Sequence, residues 1–119
     1  LYGPADLTRD FINSELDLSK LVFQAKDRSD PVLSIASPVT YARASSPPIL
    51  IIHGEDDQLV SIEQSVLLNE SLKDVGAPVH FISVKNAGHG FSQTGNKPVD
   101  PGWDEIDNVI VNFFIETLR

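Results

Sequence analysis

The rhythm of apolar and polar positions changes most sharply in the middle of the chain. Ile49, Leu50, Ile51 and Ile52 stand together, three of them β-branched, which predicts a strand buried on both faces. Gly54 and the acids Glu55, Asp56 and Asp57 follow at once. From Ser61 to Ala77 the period lengthens. Ile62, Leu68, Leu72 and Val75 recur at helical spacing on one face, Ser61 and Gln64 have the spacing of a capping box, and Gly76 with Pro78 supplies the stop. Val79 to Val84 then alternates, with Val79, Phe81 and Ser83 on one face and His80, Ile82 and Val84 on the other. Strand, helix and strand at this spacing predict a parallel, right-handed βαβ unit.

Asn86 to Gly102 is rich in glycine and proline and predicts a loop. Trp103 to Arg119 predicts a last amphipathic helix whose buried stripe is Trp103, Ile106, Ile110, Phe113, Phe114 and Leu118. Asp104, Glu105 and Asp107 lie at its start and Arg119 at its end, as the helix dipole prefers.

Upstream of the strand the pattern is mixed. Tyr2-Gly3-Pro4 is a turn signal. Asp6-Leu7-Thr8 is a candidate start for a short helix running to about Leu16. Asp17 to Lys26 carries Leu18, Leu21, Val22 and Ala25 at helical spacing. Val32 to Ala36 is a short apolar piece, and Ser37 to Tyr41 is extended or turn. Pro47 and Pro48 lack amide hydrogens and belong before the ladder.

With 119 residues the chain is long enough for one domain with a real core. A net charge of −8, from 17 acids and 9 bases, argues against nucleic acid and against an anionic membrane surface. No apolar run is long enough to span a bilayer, and no signal peptide is visible. Cysteine is absent, which excludes a disulfide framework, a thiolate nucleophile and Cys-ligated zinc. Methionine is absent too, so the expectation is a mature form, a trimmed product or a fragment.

The chemistry gathers on two loops. Asp56 and Asp57 follow the first strand, and His89 follows the second in Asn86-Ala87-Gly88-His89-Gly90-Phe91. Adjacent parallel strands bring both loops to one sheet edge, where reacting groups collect. An Asp facing a His there is the orienting pair of a nucleophilic triad. The plain alternative is that the acids are solvated turn or helix-start charges and His89 a surface residue. His53, at the strand end, reads as a structural residue hydrogen-bonded within its loop, and His80 as an outward strand residue. Tyr2 and Trp103 are candidates to line a pocket, with core or rim packing the plainer reading. The acids match no calcium loop, and no phosphate-binding glycine loop is present. Neither a cofactor nor a metal is expected.

At these residues the chain resembles the C-terminal part of an α/β-hydrolase. Leu50 to Val60 resembles the family's strand ending in His-Gly-x-x-Asp-x-x-Val, which puts Asp57 at the triad acid and leaves Asp56 one residue early. Ala87 to Phe91 resembles the family's His loop, which puts His89 at the triad histidine. Tyr2 to Leu7 resembles the segment after the sixth strand of the sheet in the esterase/lipase branch. Ser37 to Tyr41 resembles the turn before the acid strand. That branch includes carbohydrate-ester and feruloyl-type esterases and is similar to the catalytic domains of prolyl-oligopeptidase-like peptidases.

The resemblance implies an α/β fold with parallel strands and crossover helices. Residues 1–47 form a strand-following, cap-like helical segment, and residues 48–119 form a β-α-β-α unit carrying both triad residues. The family's Gly-x-Ser-x-Gly elbow precedes its acid and histidine and is not in this sequence. Ser92, in Gly90-Phe91-Ser92-Gln93-Thr94-Gly95, has the wrong spacing and follows the histidine. A complete fold needs roughly 200 residues or more, so the nucleophile is expected upstream of Leu1.

The expected function is a carboxylic ester hydrolase of the esterase or lipase kind, with this chain alone inactive. A serine peptidase with the same triad and a non-catalytic binding domain on the same fold are the alternatives. The expected partners are a small-molecule ester and the upstream part of the same protein. An uncovered edge beside Ile49–Ile52 also invites a homodimer or domain swap.

Overall fold

The computed structural model describes residues 3–12 and 17–119. Two strands, β1 (Ile49–Gly54) and β2 (Val79–Val84), pair in parallel, with Ile49 opposite Val79 and Gly54 opposite Val84. The α-helices among the described residues are α1 (Leu18–Phe23), α2 (Pro31–Ala36), α3 (Glu63–Asp74) and α4 (Trp103–Thr117). The crossover from β1 to β2 is α3, as the strand–helix–strand pattern predicts.

Both faces of the two-stranded sheet are covered. Ile51 packs with Leu68 and Leu72 of α3 and with Ala5 and Ala77, and Val79 and Phe81 lie against that cluster. On the other face Ile52 and Val84 pack with Ala87, Phe91 and Ile106 of α4. The consecutive apolar residues of β1 therefore point alternately into two cores. A third cluster of Leu7, Phe11, Ala25 and Leu33 sits under α1 and α2. Asp17 and Asp30 cap those two helices, accepting from Lys20 N and Val32 N respectively.

The end of α3 is set by Gly76, whose φ is +75°. Ala77 N donates to Leu72 O at 2.9 Å and Gly76 N to Lys73 O at 3.0 Å, the bond pair of a Schellman motif. Gly76→Ala is expected to cost about 1–2 kcal/mol through the left-handed backbone alone, because an added Cβ meets nothing within 4 Å. A lower urea midpoint at unchanged m would show it.

Four expectations need correction. Residues 6–12 form turns and bends rather than a helix, and the expected helix end near Leu16 lies outside the described residues. Asp6 draws Thr8 into a local turn, its Oδ1 accepting from Thr8 N at 3.0 Å. The capping box does not form: Ser61 Oγ accepts from Glu63 N at 3.3 Å, and α3 carries no side-chain cap. The Gln64 amide is buried instead against the first segment. Its Oε1 accepts from Ala5 N at 2.8 Å and Asp6 N at 2.7 Å, and its Nε2 donates to Asp6 O and Asp10 O at 3.1 Å each.

The third correction concerns α4. Only Ile106 of its expected stripe is fully buried, whereas Trp103 is 52%, Phe114 54% and Leu118 76% exposed. The helix has an apolar face, but two strands are too narrow to cover it. The fourth concerns Val75, which is 39% exposed at the end of the α3 stripe. Tyr2 lies outside the described residues.

Candidate active site

Both acid and histidine loops leave the carboxyl ends of their strands and are stitched together by backbone. Glu55 N donates to Val84 O at 2.9 Å and Asp56 N to Ala87 O at 3.0 Å. This close approach depends on Gly54. A Cβ at that position would stand 2.4 Å from Ala87 O and 2.5 Å from Gly88 O, distances no carbon can hold against a carbonyl oxygen. The sequence signal for this was a glycine at a strand end, which marks close backbone approach.

The stitching brings Asp57 and His89 together. Asp57 Oδ2 lies 2.9 Å from His89 Nδ1. A carboxylate only accepts, so Nδ1 carries the proton and the opposite ring nitrogen, Nε2, presents a lone pair in the neutral ring. The Asp57 side chain is 1% exposed and that of His89 40%, so a buried, fixed acid supports a partly exposed histidine. Asp57 Oδ1 accepts from Leu59 N and Val60 N at 2.9 Å each. Burial alone would raise the Asp57 pKa. The Val60 N–H, the His89 imidazole and the Leu59 N–H outweigh it and hold the carboxyl below its ordinary 3.8.

That shift has a consequence for stability. A folded-state pKa below the unfolded one means that the ionised form favours folding. The contribution is present above the unfolded value and is lost as pH falls through the lower folded value. Asp57→Asn is therefore expected to be less stable than the parent at neutral pH. The gap in urea midpoint should close as pH drops below the ordinary 3.8.

The histidine loop is held under tension by its own core. Phe91 sits at a φ of +63°, next to Gly90 at +71°, a conformation costing a β-carbon-bearing residue about 1–2 kcal/mol. Burial against Ile52, Val84 and Ile106 keeps it there, with an edge-to-face contact to Trp103 at 5.6 Å between centroids.

The other sequence candidates fall elsewhere. Asp56 is exposed, and its Oδ2 accepts from Thr94 Oγ1 at 2.6 Å. Ser92 Oγ approaches the His89 carbonyl at 3.5 Å, on the backbone side of that residue. His80 is exposed on β2. His53 is completely buried and bonds within its loop as expected, with Nε2 2.8 Å from Val60 O, and the same nitrogen also lies 3.1 Å from Asp57 Oδ2. Among the described residues no group of three or more His, Cys, Asp or Glu is placed to hold a metal ion. Among the described residues no helix is long and apolar enough to cross a membrane.

The BD-FAE family pattern matches residues 1–72, which covers more than half of the chain and includes β1 and Asp57. The chain belongs to the BD-FAE family. Its fold is that of the α/β-hydrolase superfamily.

Esterase LipQ of Mycobacterium tuberculosis is 34% identical to this BD-FAE chain over 95 residues, covering 76% of the chain and 23% of LipQ. The uncharacterised peptidase YuxL of Bacillus subtilis is 40% identical over 60 residues, covering 50% of the chain and 9% of YuxL. Among solved structures, a truncated carbohydrate esterase from gut microbiota superposes with a TM-score of 0.59 at 28% identity. It covers 77% of the chain and 32% of that protein. Native esterase 2 of Thermogutta terrifontis shares the fold over 98% of the chain and 40% of its own, with a TM-score of 0.66 at 23% identity. This BD-FAE chain thus spans about a quarter to two fifths of these esterases.

Proposed function

We propose that the chain is the C-terminal portion of a single-domain serine hydrolase acting on carboxylic esters, whose nucleophile is supplied from before Leu1. The observation that carries this is the 2.9 Å contact of Asp57 Oδ2 with His89 Nδ1 at the carboxyl ends of adjacent parallel strands. Residues 1–47 read as the segment following an earlier strand, and residues 48–119 as the unit that presents the pair.

In this reading His89 Nε2 takes the hydroxyl proton of the serine as its oxygen attacks the ester carbonyl. The imidazolium then returns that proton to the leaving alcohol, and the acyl-enzyme is hydrolysed by a water activated the same way. Asp57 fixes the ring so that Nε2 faces the nucleophile, and it balances the transient positive charge. The esterases among the relatives favour an ester substrate. Two uncharacterised peptidases of Bacillus subtilis, YuxL and YtmA, favour a second reading in which the same pair cleaves an amide. Comparing p-nitrophenyl acetate with a peptide anilide separates the two.

The nucleophile can be located directly. Esterase 2 of Thermogutta terrifontis is phosphorylated by paraoxon. Treating the protein that carries the complete fold with paraoxon, and mapping the adduct by peptide mass spectrometry, is expected to find one modified serine preceding Leu1. The 119-residue chain alone should take up none and should hydrolyse p-nitrophenyl acetate no faster than free imidazole. An adduct within residues 1–119, or none in the complete protein, contradicts the proposal.

A further inference from the structure

We propose that His53 is a positioning residue for Asp57, an inference that rests on the serine-hydrolase reading above. His53 is the last side chain of β1 before Gly54, and none of it reaches solvent. Both ring nitrogens are committed. Nε2 lies 2.8 Å from Val60 O, a group that can only accept, so Nε2 carries the proton. Nδ1 lies 2.5 Å from Ser65 Oγ on α3, and in the neutral ring it accepts the hydroxyl proton.

This fixed ring stands beside the carboxylate. His53 Nε2 is 3.1 Å from Asp57 Oδ2, with the two side chains 0% and 1% exposed. Oδ2 is therefore flanked by two imidazole nitrogens, Nδ1 of His89 at 2.9 Å and Nε2 of His53.

His53 acts on Asp57 in two ways. By holding the Val60 carbonyl it pins the turn whose Leu59 and Val60 N–H groups reach Oδ1. By placing the proton-bearing edge of its ring next to Oδ2, it opposes rotation of the carboxylate when the more exposed His89 moves. An apolar residue of similar volume could fill the space between β1 and α3, but it could do neither of these things. The demand for nitrogen, rather than for bulk, separates positioning from packing. Ser65 completes the device from α3, so the crossover helix takes part in aiming a carboxylate that lies beyond the carboxyl end of β1.

The test uses the protein that carries the complete fold, with p-nitrophenyl acetate as substrate. His53→Leu is expected to lower kcat about 10- to 100-fold at unchanged KM, the scale of a displaced catalytic group. The downfield proton resonance of His89 Nδ1–H should shift or broaden away. His53→Gln, whose amide nitrogen can stand where Nε2 stands, is expected to recover most of kcat and the resonance. A folded His53→Leu with parental kcat and an unmoved resonance overturns the positioning role. His89→Ala in the same assay tells the two claims apart: its inactivity leaves the hydrolase reading standing whatever His53 does, and its full activity removes both. Should His53→Leu fail to fold, Ser65→Ala decides, because it removes only the donor to Nδ1. A lower kcat with a moved resonance supports the proposal, and no change in either overturns it.

Discussion

Asp57→Asn in the complete protein is expected to lower kcat for an activated ester by about 10⁴, while Asp56→Asn lowers it far less. The two residues are neighbours of like charge, so bulk electrostatics treats them alike. Their surroundings do not. Asp57 is 8% exposed overall, takes two backbone N–H groups on one oxygen and His89 on the other. Asp56 points to Thr94 on the surface. An Asn at position 57 keeps an acceptor for the Leu59 and Val60 amides. It then presents its own N–H₂ to His89 and removes the acceptor that keeps the proton on Nδ1. The ring loses its reason to hold that tautomer, and Nε2 loses the lone pair a general base requires. Equal losses for the two substitutions would mean that the acids act only through their summed charge. Measuring kcat and KM separately distinguishes these outcomes.

The second large effect is expected at a residue with no side chain. Gly54→Ala places a carbon 2.4 Å from Ala87 O and 2.5 Å from Gly88 O. Both obstacles are backbone, so relief requires the histidine loop to move as a body. That movement breaks the Asp56 N–Ala87 O bond and strains the Glu55 N–Val84 O bond. Overpacking of this kind costs about 1–3 kcal/mol or more. The separation of Asp57 from His89 should cost a further 10² or so in kcat, since about 1 Å of misplacement suffices for that. Gly95→Ala is the matched control. It has open space at its Cβ and should change stability by less than about 0.5 kcal/mol. Near-parental stability and kcat for Gly54→Ala would mean that the two loops are not seated as described.

These two cases also show what a sequence can and cannot reveal here. β1, α3 and β2 were legible because each carries its own local signal: both-sided apolar character, helical spacing with a glycine stop, and alternation. The meeting of Asp57 and His89 was legible because adjacent parallel strands must put their following loops at one edge. Burial of particular polar groups was not legible. Gln64 looks like a capping residue by spacing, yet its amide satisfies four backbone groups between Ala5 and Asp10. Those partners lie more than fifty positions away, beyond any local pattern.

His53 makes the hydrogen bond within its loop that the sequence suggests, to Val60 O, but its approach to Asp57 was not legible, for the same reason. Strand periodicity indicates which face it occupies, but not that Asp57 folds back over the strand end to meet it. On α4, helical spacing identifies an apolar face without saying what covers it. Trp103, Phe114 and Leu118 consequently looked like core and stand exposed. The first segment failed as a helix because Asp6 and Gln64 offer its backbone better partners than the next turn would.

Hydrolysis of p-nitrophenyl acetate by the complete protein carrying His89→Ala is the most direct measurement of whether the Asp57–His89 pair performs the chemistry. Removing the base leaves the nucleophile protonated and the leaving alcohol without a proton donor, so kcat should fall by about 10⁵–10⁶ while the protein stays folded. A folded His89→Ala enzyme with undiminished kcat would contradict the serine-hydrolase reading outright.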